Sequence, residues 1–202
     1  MSGVKLDFLF LTTVLTKNRE SWIIRKVRIL HSKYTLIIGG AASGKSAFAE
    51  QLVVSTGKSR KYLATSQVFD QEMRTKVNRH LAQRGTGWTT IEEPHEPGPA
   101  LSALAEGDIC LFDCATMWLS NQMLAGADLE AAQGRLLEAI RACPAQVVMV
   151  TNEVGHGIVP ENALAREFRE AQGRLNIALA AEADLVVLVT AGLPLVLKGR
   201  LQ

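Results

Sequence analysis

Residues 36–48, LIIGGAASGKSAF, run from an apolar strand-like segment through a glycine-rich turn into a pattern typical of a helix. Residues 39–46 match GxxxxGK[ST] in the strand-to-helix context that a phosphate-binding loop requires. Small residues let backbone N–H groups surround a β-phosphate, and the helix N-terminus adds partial positive charge. The stretch therefore predicts a nucleotide-binding P-loop made of Gly39, Gly40, Ala41, Ala42, Ser43, Gly44, Lys45 and Ser46.

Two side chains of this loop and one aspartate have predicted roles in a Mg²⁺-nucleotide site. Lys45 would reach the β- and γ-phosphates, and Ser46 would ligate Mg²⁺. Asp113 closes the apolar run DICLFD, so its carboxylate is expected at the carboxyl edge of the sheet as a second metal ligand. Strands also end in aspartate for turn reasons alone, which leaves a purely structural role open for Asp113.

From residue 34 onward, apolar strand-like runs alternate with helical patterns. The runs TLIIGG, KYLAT, DICLFD, QVVMVTN and DLVVLVT are apolar almost throughout, as expected of strands covered by helices on both faces. This pattern predicts a single α/β domain, residues 34–202, with a mainly parallel sheet. The proline-rich segment EPHEPGP, residues 93–99, is predicted to be a surface connection with an exposed His95.

Composition limits the class of protein. The 202 residues suffice for one well-cored domain, and a formal charge of +2 without a concentrated basic stripe argues against a nucleic-acid partner. The three cysteines match no metal-ligand spacing and suit a reducing compartment, so a cytoplasmic location is expected. The apolar run LDFLFLTTVLT has only about half of the ~20 residues that a membrane-spanning helix needs. Residues 1–33 are therefore interpreted as an N-terminal extension without membrane insertion.

The segment FDQEMRTKVNRHLAQR, residues 69–84, has the four-residue spacing of an amphipathic helix. Lys76, His80 and Arg84 share one of its faces, which places an imidazole between two cations. Neighbouring positive charge lowers the pKa of a histidine and keeps the ring neutral and nucleophilic, whereas a solvated surface face is the simpler explanation. His156, in a glycine-flanked loop, is the competing histidine.

Five motifs occur in the order and spacing of one family: GGAASGKSAFAE, YLATSQVFDQEMRTKVNRHLAQRGTGWTTIEEP, LFDCATMWLSN, VTNEVGHGIVPENALAREFREAQGRLN and DLVVLVTAGLPLVLK. Over residues 35–198 the chain resembles the bifunctional adenosylcobinamide kinases and adenosylcobinamide-phosphate guanylyltransferases of cobalamin biosynthesis. The resemblance implies a P-loop NTPase-like fold and two reactions. ATP or GTP phosphorylates the aminopropanol hydroxyl of adenosylcobinamide, and GMP is then transferred from GTP to that phosphate through a guanylylated histidine.

The resemblance also implies which residues form the site. The guanylylated histidine corresponds to His80, and the family is typically trimeric, with subunits combining to form the site. The nucleotide contacts correspond to the P-loop residues and to Thr65, Ser66, Gln67, Arg84, Glu92 and Asp113.

Three positions depart from the family pattern. Ala42 stands where an arginine is usual, Leu81 where a basic residue is common, and Gly85 where proline is usual. Losing the loop arginine removes a cation near the triphosphate, so weaker nucleotide affinity or a weaker kinase reaction is expected. Two other hypotheses stay open: a P-loop kinase for another small alcohol, in which His80 is a surface residue, and a nucleotide-dependent binding module.

Overall fold

The computed structural model describes residues 32–67 and 85–201. The predicted helix from about residue 70, with His80, Leu81 and Arg84, lies outside these ranges. The described elements, in chain order, are β1 (Tyr34–Gly39), α1 (Lys45–Ser55), β2 (Ser59–Ala64), β3 (Trp88–Glu92), α2 (Pro97–Ser102), β4 (Asp108–Asp113), α3 (Ala115–Leu124), α4 (Leu129–Ala142), β5 (Gln146–Asn152), α5 (Ala163–Glu182), β6 (Leu185–Thr190) and β7 (Leu193–Lys198).

The described strands form one sheet with the order β3-β2-β4-β5-β1-β6-β7. All neighbouring pairs are parallel except β6 and β7, which are antiparallel. The predicted mainly parallel sheet is confirmed. Because the carboxyl ends of parallel strands meet at one edge, the segments that follow β1, β2, β3, β4 and β5 lie together there.

Helices cover both faces of this sheet, which confirms the predicted layering. One face packs against α1 through Phe48, Ala49, Leu52 and Val53. The other packs against α2 to α5, with Leu101, Trp118, Leu136 and Leu175 among the buried contacts. Burying each large apolar side chain contributes roughly 1.5–3 kcal/mol, so this two-sided core holds the sheet and fixes its carboxyl edge.

Polar N-cap residues begin the two longest described helices. The Asp128 side chain accepts hydrogen bonds from the backbone N–H groups of Glu130 and Ala131 at the start of α4. Asn162 accepts one from Ala165 at the start of α5. Each cap satisfies N–H groups that a helix leaves without intrahelical partners, which explains why these helices begin there.

The interpretation of residues 93–99 as a surface connection is wrong for residues 97–99, which form the start of helix α2. Helix α2 begins at Pro97, which is buried, because proline already has the backbone φ of a first helical residue and lacks only an N–H that would stay unpaired. The prediction of an exposed His95 is also wrong, since this residue is half-buried and its Nε2 lies 2.7 Å from Nε2 of Gln67.

A tight hairpin joins β6 to β7 and contacts the P-loop. Its two turn residues, Ala191 and Gly192, have φ values of 52° and 78°, as in the type I′ turns that suit twisted hairpins. The Gly192 N–H donates to the Ser43 carbonyl oxygen at 2.8 Å. The hairpin therefore supports the loop from the side of β6.

All three cysteines are buried free thiols. In the described part of the chain, every helix is too short or too polar to cross a lipid bilayer.

Candidate nucleotide-binding site

The segment between β1 and α1 has the geometry of a phosphate-binding loop. The Ser43 N–H donates to the Gly40 carbonyl at 3.3 Å and closes the turn. Gly44, the N-cap of α1, has φ of 92°, and a Cβ atom there would lie 3.1 Å from the Gly192 Cα. Gly44 has no side chain to cap the helix, and the Lys45 N–H makes only a 3.4 Å hydrogen bond to Ser43 Oγ, so the first turn of α1 can receive an anion.

Lys45 lies over this loop. Its Nζ donates to the Gly40 carbonyl oxygen at 3.2 Å, and the side chain is partly buried. Burial lowers the pKa of Lys45, while the nearby Cys114 and Asp113 act in the opposite direction. The ammonium group therefore lies beside the loop, close to the side chain predicted as a metal ligand.

Asp113 ends β4 at the carboxyl edge, as the sequence predicts. Its Oδ2 accepts a hydrogen bond from the Tyr62 hydroxyl at 3.0 Å, which orients the carboxylate. Within residues 32–67 and 85–201, no three His, Cys, Asp or Glu side chains cluster as a metal site. A Mg²⁺ ion that arrives with nucleotide phosphates fits this donor set, because it needs few protein ligands and accepts hydroxyl and carboxylate oxygens such as those of Ser46 and Asp113.

Thr65 is fully buried and bonded within the protein. Its hydroxyl donates to the Cys114 carbonyl and accepts from the Cys114 N–H, both at 2.8 Å. The Thr65 carbonyl accepts from Asn121 Nδ2 at 2.8 Å, and the Thr65 N–H donates to the Asp113 carbonyl at 3.2 Å. The residue therefore joins the end of β2 to the end of β4 and holds the backbone next to Asp113.

Cys114 follows Asp113 through a cis peptide bond and is the N-cap of α3. Burial, with a further contribution from Asp113, raises the pKa of its thiol to about 12. Burial therefore favours the neutral thiol over a thiolate at this position.

The remaining predicted contacts lie along the same edge. Gln67 is held by His95, whose carbonyl accepts from the Trp118 indole at 2.9 Å and from Gln122 at 2.8 Å. Ala64 is in register with both Glu92 and Asp113 on the strands at its two sides. Glu92 and Asp113 are therefore two strand spacings, about 10 Å, apart. The structure thus brings together, along one edge, the predicted residues Gly39, Gly40, Ala41, Ala42, Ser43, Gly44, Lys45, Ser46, Thr65, Ser66, Gln67, Glu92 and Asp113.

Two predicted residues, His80 and Arg84, lie outside the described ranges, so their place relative to this edge stays a prediction. The competing histidine, His156, is exposed in the loop after β5.

Sequence reasoning missed Tyr62, and it placed Asn152 at a strand end near the expected phosphate site without assigning it a role. Tyr62 gave no signal, because its bond to Asp113 depends on the pairing of β2 with β4. Asn152 was visible as a polar residue at the end of an apolar strand, but its position opposite Gly39 follows only from the register of β1 and β5.

Comparisons with known proteins identify the family of this chain. Residues 35–197 match the family model described as cobinamide kinase / cobinamide phosphate guanyltransferase. The chain is 40% identical to the bifunctional adenosylcobalamin biosynthesis protein CobP of Pseudomonas aeruginosa, covering 81% of this chain and 96% of the relative. It is 41% identical to the bifunctional adenosylcobalamin biosynthesis protein CobU of Salmonella typhimurium, over 81% and 98%.

Among solved structures, the flagellar accessory protein FlaH from Methanocaldococcus jannaschii is similar, with 12% identity and a TM-score of 0.45 over 83% of this chain and 78% of that chain. The extent of the family match and the identity to full-length relatives decide the assignment. The chain belongs to the cobinamide kinase / cobinamide phosphate guanyltransferase family.

Proposed function

We propose that this protein catalyses two successive reactions on one substrate. It phosphorylates adenosylcobinamide with ATP or GTP, and it then transfers GMP from GTP to the new phosphate to form adenosylcobinamide-GDP. The observation that carries the proposal is a complete P-loop with Lys45 and Asp113 at one sheet edge, in a chain that matches this family over residues 35–197.

In the first reaction, the substrate hydroxyl attacks the γ-phosphorus and the nucleoside diphosphate leaves. The P-loop N–H groups and Lys45 hold the β- and γ-phosphates, which stabilises the charge that develops in phosphoryl transfer. Ser46 and Asp113 would hold a Mg²⁺ ion that arrives with the nucleotide and neutralises phosphate charge. The hydrogen bond from Tyr62 keeps the Asp113 carboxylate in place.

In the second reaction, His80 is the nucleophile. A neutral imidazole nitrogen attacks the α-phosphorus of GTP, pyrophosphate leaves, and a phosphoramidate bond to GMP forms. A phosphate oxygen of the acceptor then attacks the same phosphorus and releases the histidine. Arg84, Glu92, Ser66 and Gln67 are proposed nucleotide contacts on the basis of the family resemblance, whereas the buried Thr65 acts indirectly by holding the backbone beside Asp113.

The proposed location is the cytoplasm, where nucleoside triphosphates are available. The three buried free thiols support a reducing compartment.

We further infer that the chain assembles with copies of itself, as a trimer by family resemblance, and that β7 takes part in the assembly. This strand forms one edge of the described sheet, and its Leu193, Leu195 and Leu197 are 69%, 58% and 57% exposed. Such a run of apolar side chains on an edge strand is typical of a covered surface. Light scattering should show a smaller assembly for Leu195→Lys than for the wild type, whereas Ile158→Lys, which alters an exposed residue elsewhere, should leave its size unchanged.

The enzymatic proposal is tested with GTP labelled at its α-phosphate. After incubation and denaturation, the wild type should carry covalent label that is acid-labile and base-stable. The label should be absent from His80→Ala and retained in His156→Ala, which removes the exposed histidine after β5. Absence of label from active wild type would refute the guanylyltransferase reaction, and label that persists in His80→Ala would assign the nucleophile elsewhere.

The kinase reaction is tested separately with Lys45→Ala. Transfer of the γ-phosphate to adenosylcobinamide should be lost, because no other described cation makes a contact within the P-loop. Retained transfer would contradict the P-loop assignment. If transfer occurs to another small alcohol and not to adenosylcobinamide, the protein is a different P-loop kinase.

A further inference from the structure

A guanidinium group from α5 reaches the loop that follows β5 and forms no ion pair with any residue that the structure describes. Arg169 extends from α5, and its Nη2 donates to the Gly155 carbonyl oxygen. Its Nη1 is buried and has no hydrogen-bond partner, and none of the ion pairs among the described residues includes Arg169. A partly buried cation in this state is costly unless an anion compensates it.

A second polar atom at this loop is also unsatisfied. Asn152, the last residue of β5, has a buried Oδ1 without a partner. Its backbone is held firmly, since the N–H donates to the Thr116 hydroxyl at 2.8 Å and the carbonyl accepts from Asn176 Nδ2 at 3.0 Å. Buried polar groups are nearly always paired, so the open Arg169 donor indicates a missing anion, whereas the open Asn152 Oδ1 is an acceptor and Asn152 can bind an anion only through its amide NH₂ group.

This loop lies directly beside the P-loop. Asn152 is in register with Gly39, and the Glu153 N–H donates to the Gly39 carbonyl at 3.1 Å. Gly155 is only two positions after Glu153, so the Arg169 guanidinium is on the order of 10 Å from the first residue of the P-loop. The Glu153 carboxylate accepts from the Gly155 N–H at 2.6 Å and forms no ion pair with Arg169.

We propose that Arg169 and Asn152 form the subsite for the phosphate monoester of the acceptor. The inference rests on the proposed function, in which the phosphate gained in the first reaction becomes the nucleophile of the second. An arginine fork binds a phosphate dianion through parallel N–H groups, and the soft χ2 torsion of asparagine lets its amide turn towards the ligand. A subsite beside the P-loop lies next to the place where the first reaction forms the phosphate of the acceptor.

The subsite serves the second transfer by holding the nucleophile. A phosphate oxygen of the acceptor forms a bond to the α-phosphorus of the GMP on His80, and the phosphorus–nitrogen bond breaks. The electron pair of that bond returns to the imidazole, which takes a proton from water. Neutralisation by Arg169 lets the dianion approach a second phosphoryl group.

The test is equilibrium binding of adenosylcobinamide phosphate and of unphosphorylated adenosylcobinamide, followed through the corrinoid absorbance. The wild type should bind the phosphorylated form more tightly. Arg169→Gln should weaken that binding at least tenfold while leaving GTP affinity and binding of the unphosphorylated form within twofold. The matched control is Arg166→Gln, because Arg166 is an exposed arginine one turn earlier on α5, and it should behave as the wild type.

Several outcomes would overturn the subsite: equal binding of both acceptor forms by the wild type, an Arg169→Gln protein that still discriminates, or loss of GTP affinity with acceptor binding unchanged. If Arg169→Gln does not fold, Arg169→Lys replaces it. Because lysine lacks the planar fork, this variant should bind the phosphorylated acceptor several-fold more weakly, and unchanged binding would refute the subsite.

The binding assay needs no GMP adduct. Failure of guanylylation with Arg169-dependent binding would reject the proposed function and keep the subsite. Normal guanylylation, together with acceptor binding that does not depend on Arg169, would keep the proposed function and reject the subsite.

Discussion

Replacing Thr65 with valine removes one hydroxyl and changes almost nothing else in shape. That hydroxyl makes two hydrogen bonds of 2.8 Å to the backbone of Cys114, in a position with no exposed surface. Valine would leave the Cys114 N–H unpaired, whereas the Cys114 carbonyl would still accept from the Trp118 N–H at 3.1 Å.

The expected cost follows from these two bonds. A buried, unpaired N–H costs about 1–3 kcal/mol, and the lost bond to the carbonyl adds about 0.5–1.5 kcal/mol, so Thr65→Val should lower the free energy of unfolding by about 3 kcal/mol. In a protein of this size, that corresponds to a fall of roughly 6–12 °C in Tm.

Thr65→Ser is the matched control, because it keeps the hydroxyl and loses only a methyl group. It should cost about 1 kcal/mol. Urea unfolding of the three proteins, followed by circular dichroism, measures both differences. A Thr65→Val protein as stable as the wild type, or more stable than Thr65→Ser, would refute the assignment of Thr65 as the link between β2 and β4.

Three further predictions concern the P-loop and the start of β4. Gly39→Ala should destabilise the protein by more than about 2 kcal/mol in urea unfolding, because its Cβ would lie 2.6 Å from a backbone carbonyl oxygen of β6. Gly40→Ala, with no atom within 4 Å of its Cβ, is the control and should cost under about 1 kcal/mol; equal costs would contradict the steric argument. Ala42→Arg, at an exposed position, should tighten GTP binding roughly twofold to fivefold at low salt, since an exposed ion pair contributes up to about 1 kcal/mol. Isothermal titration calorimetry measures this affinity, and a gain that persists at high salt would argue against a charge effect. The hydrogen bond from the Ala105 N–H is the main reason that the pKa of Asp108 is lowered, so the carboxylate stabilises the fold above about pH 4, and this contribution disappears as pH falls through the lowered pKa. Asp108→Asn should therefore be less stable than the wild type at pH 7, the difference should shrink as pH falls through the lowered pKa of Asp108, and a difference independent of pH would contradict the assignment.

The sequence predicted the buried parts of the sheet well. Strands β4 and β5 coincide with the runs DICLFD and QVVMVTN, because strands covered on both faces need continuous apolar residues. Strand β7 was not recognised as a separate strand, since only two residues separate it from β6 and most of its side chains are exposed. The short helix α2 was missed because prolines were interpreted as loop residues, although they also favour a first helical turn.

The candidate site was likewise predicted in part from the sequence. Local motifs predicted the P-loop and Asp113, because each depends on residues close together in the chain. The bond of Tyr62 to Asp113, the internal role of the Thr65 hydroxyl and the unsatisfied Arg169 all depend on contacts between distant segments. No spacing in one sequence reveals such contacts, since they follow from the order of the strands.

The central claim is that one protein joins a P-loop kinase site to a histidine that carries GMP. The most direct measurement is a single-turnover chase: the protein is labelled with α-labelled GTP, freed of nucleotide, and mixed with adenosylcobinamide phosphate. We expect the label to leave the protein and to appear in adenosylcobinamide-GDP at the rate at which it is lost. Label that stays on the protein, or that appears only as free GMP, would contradict the claim.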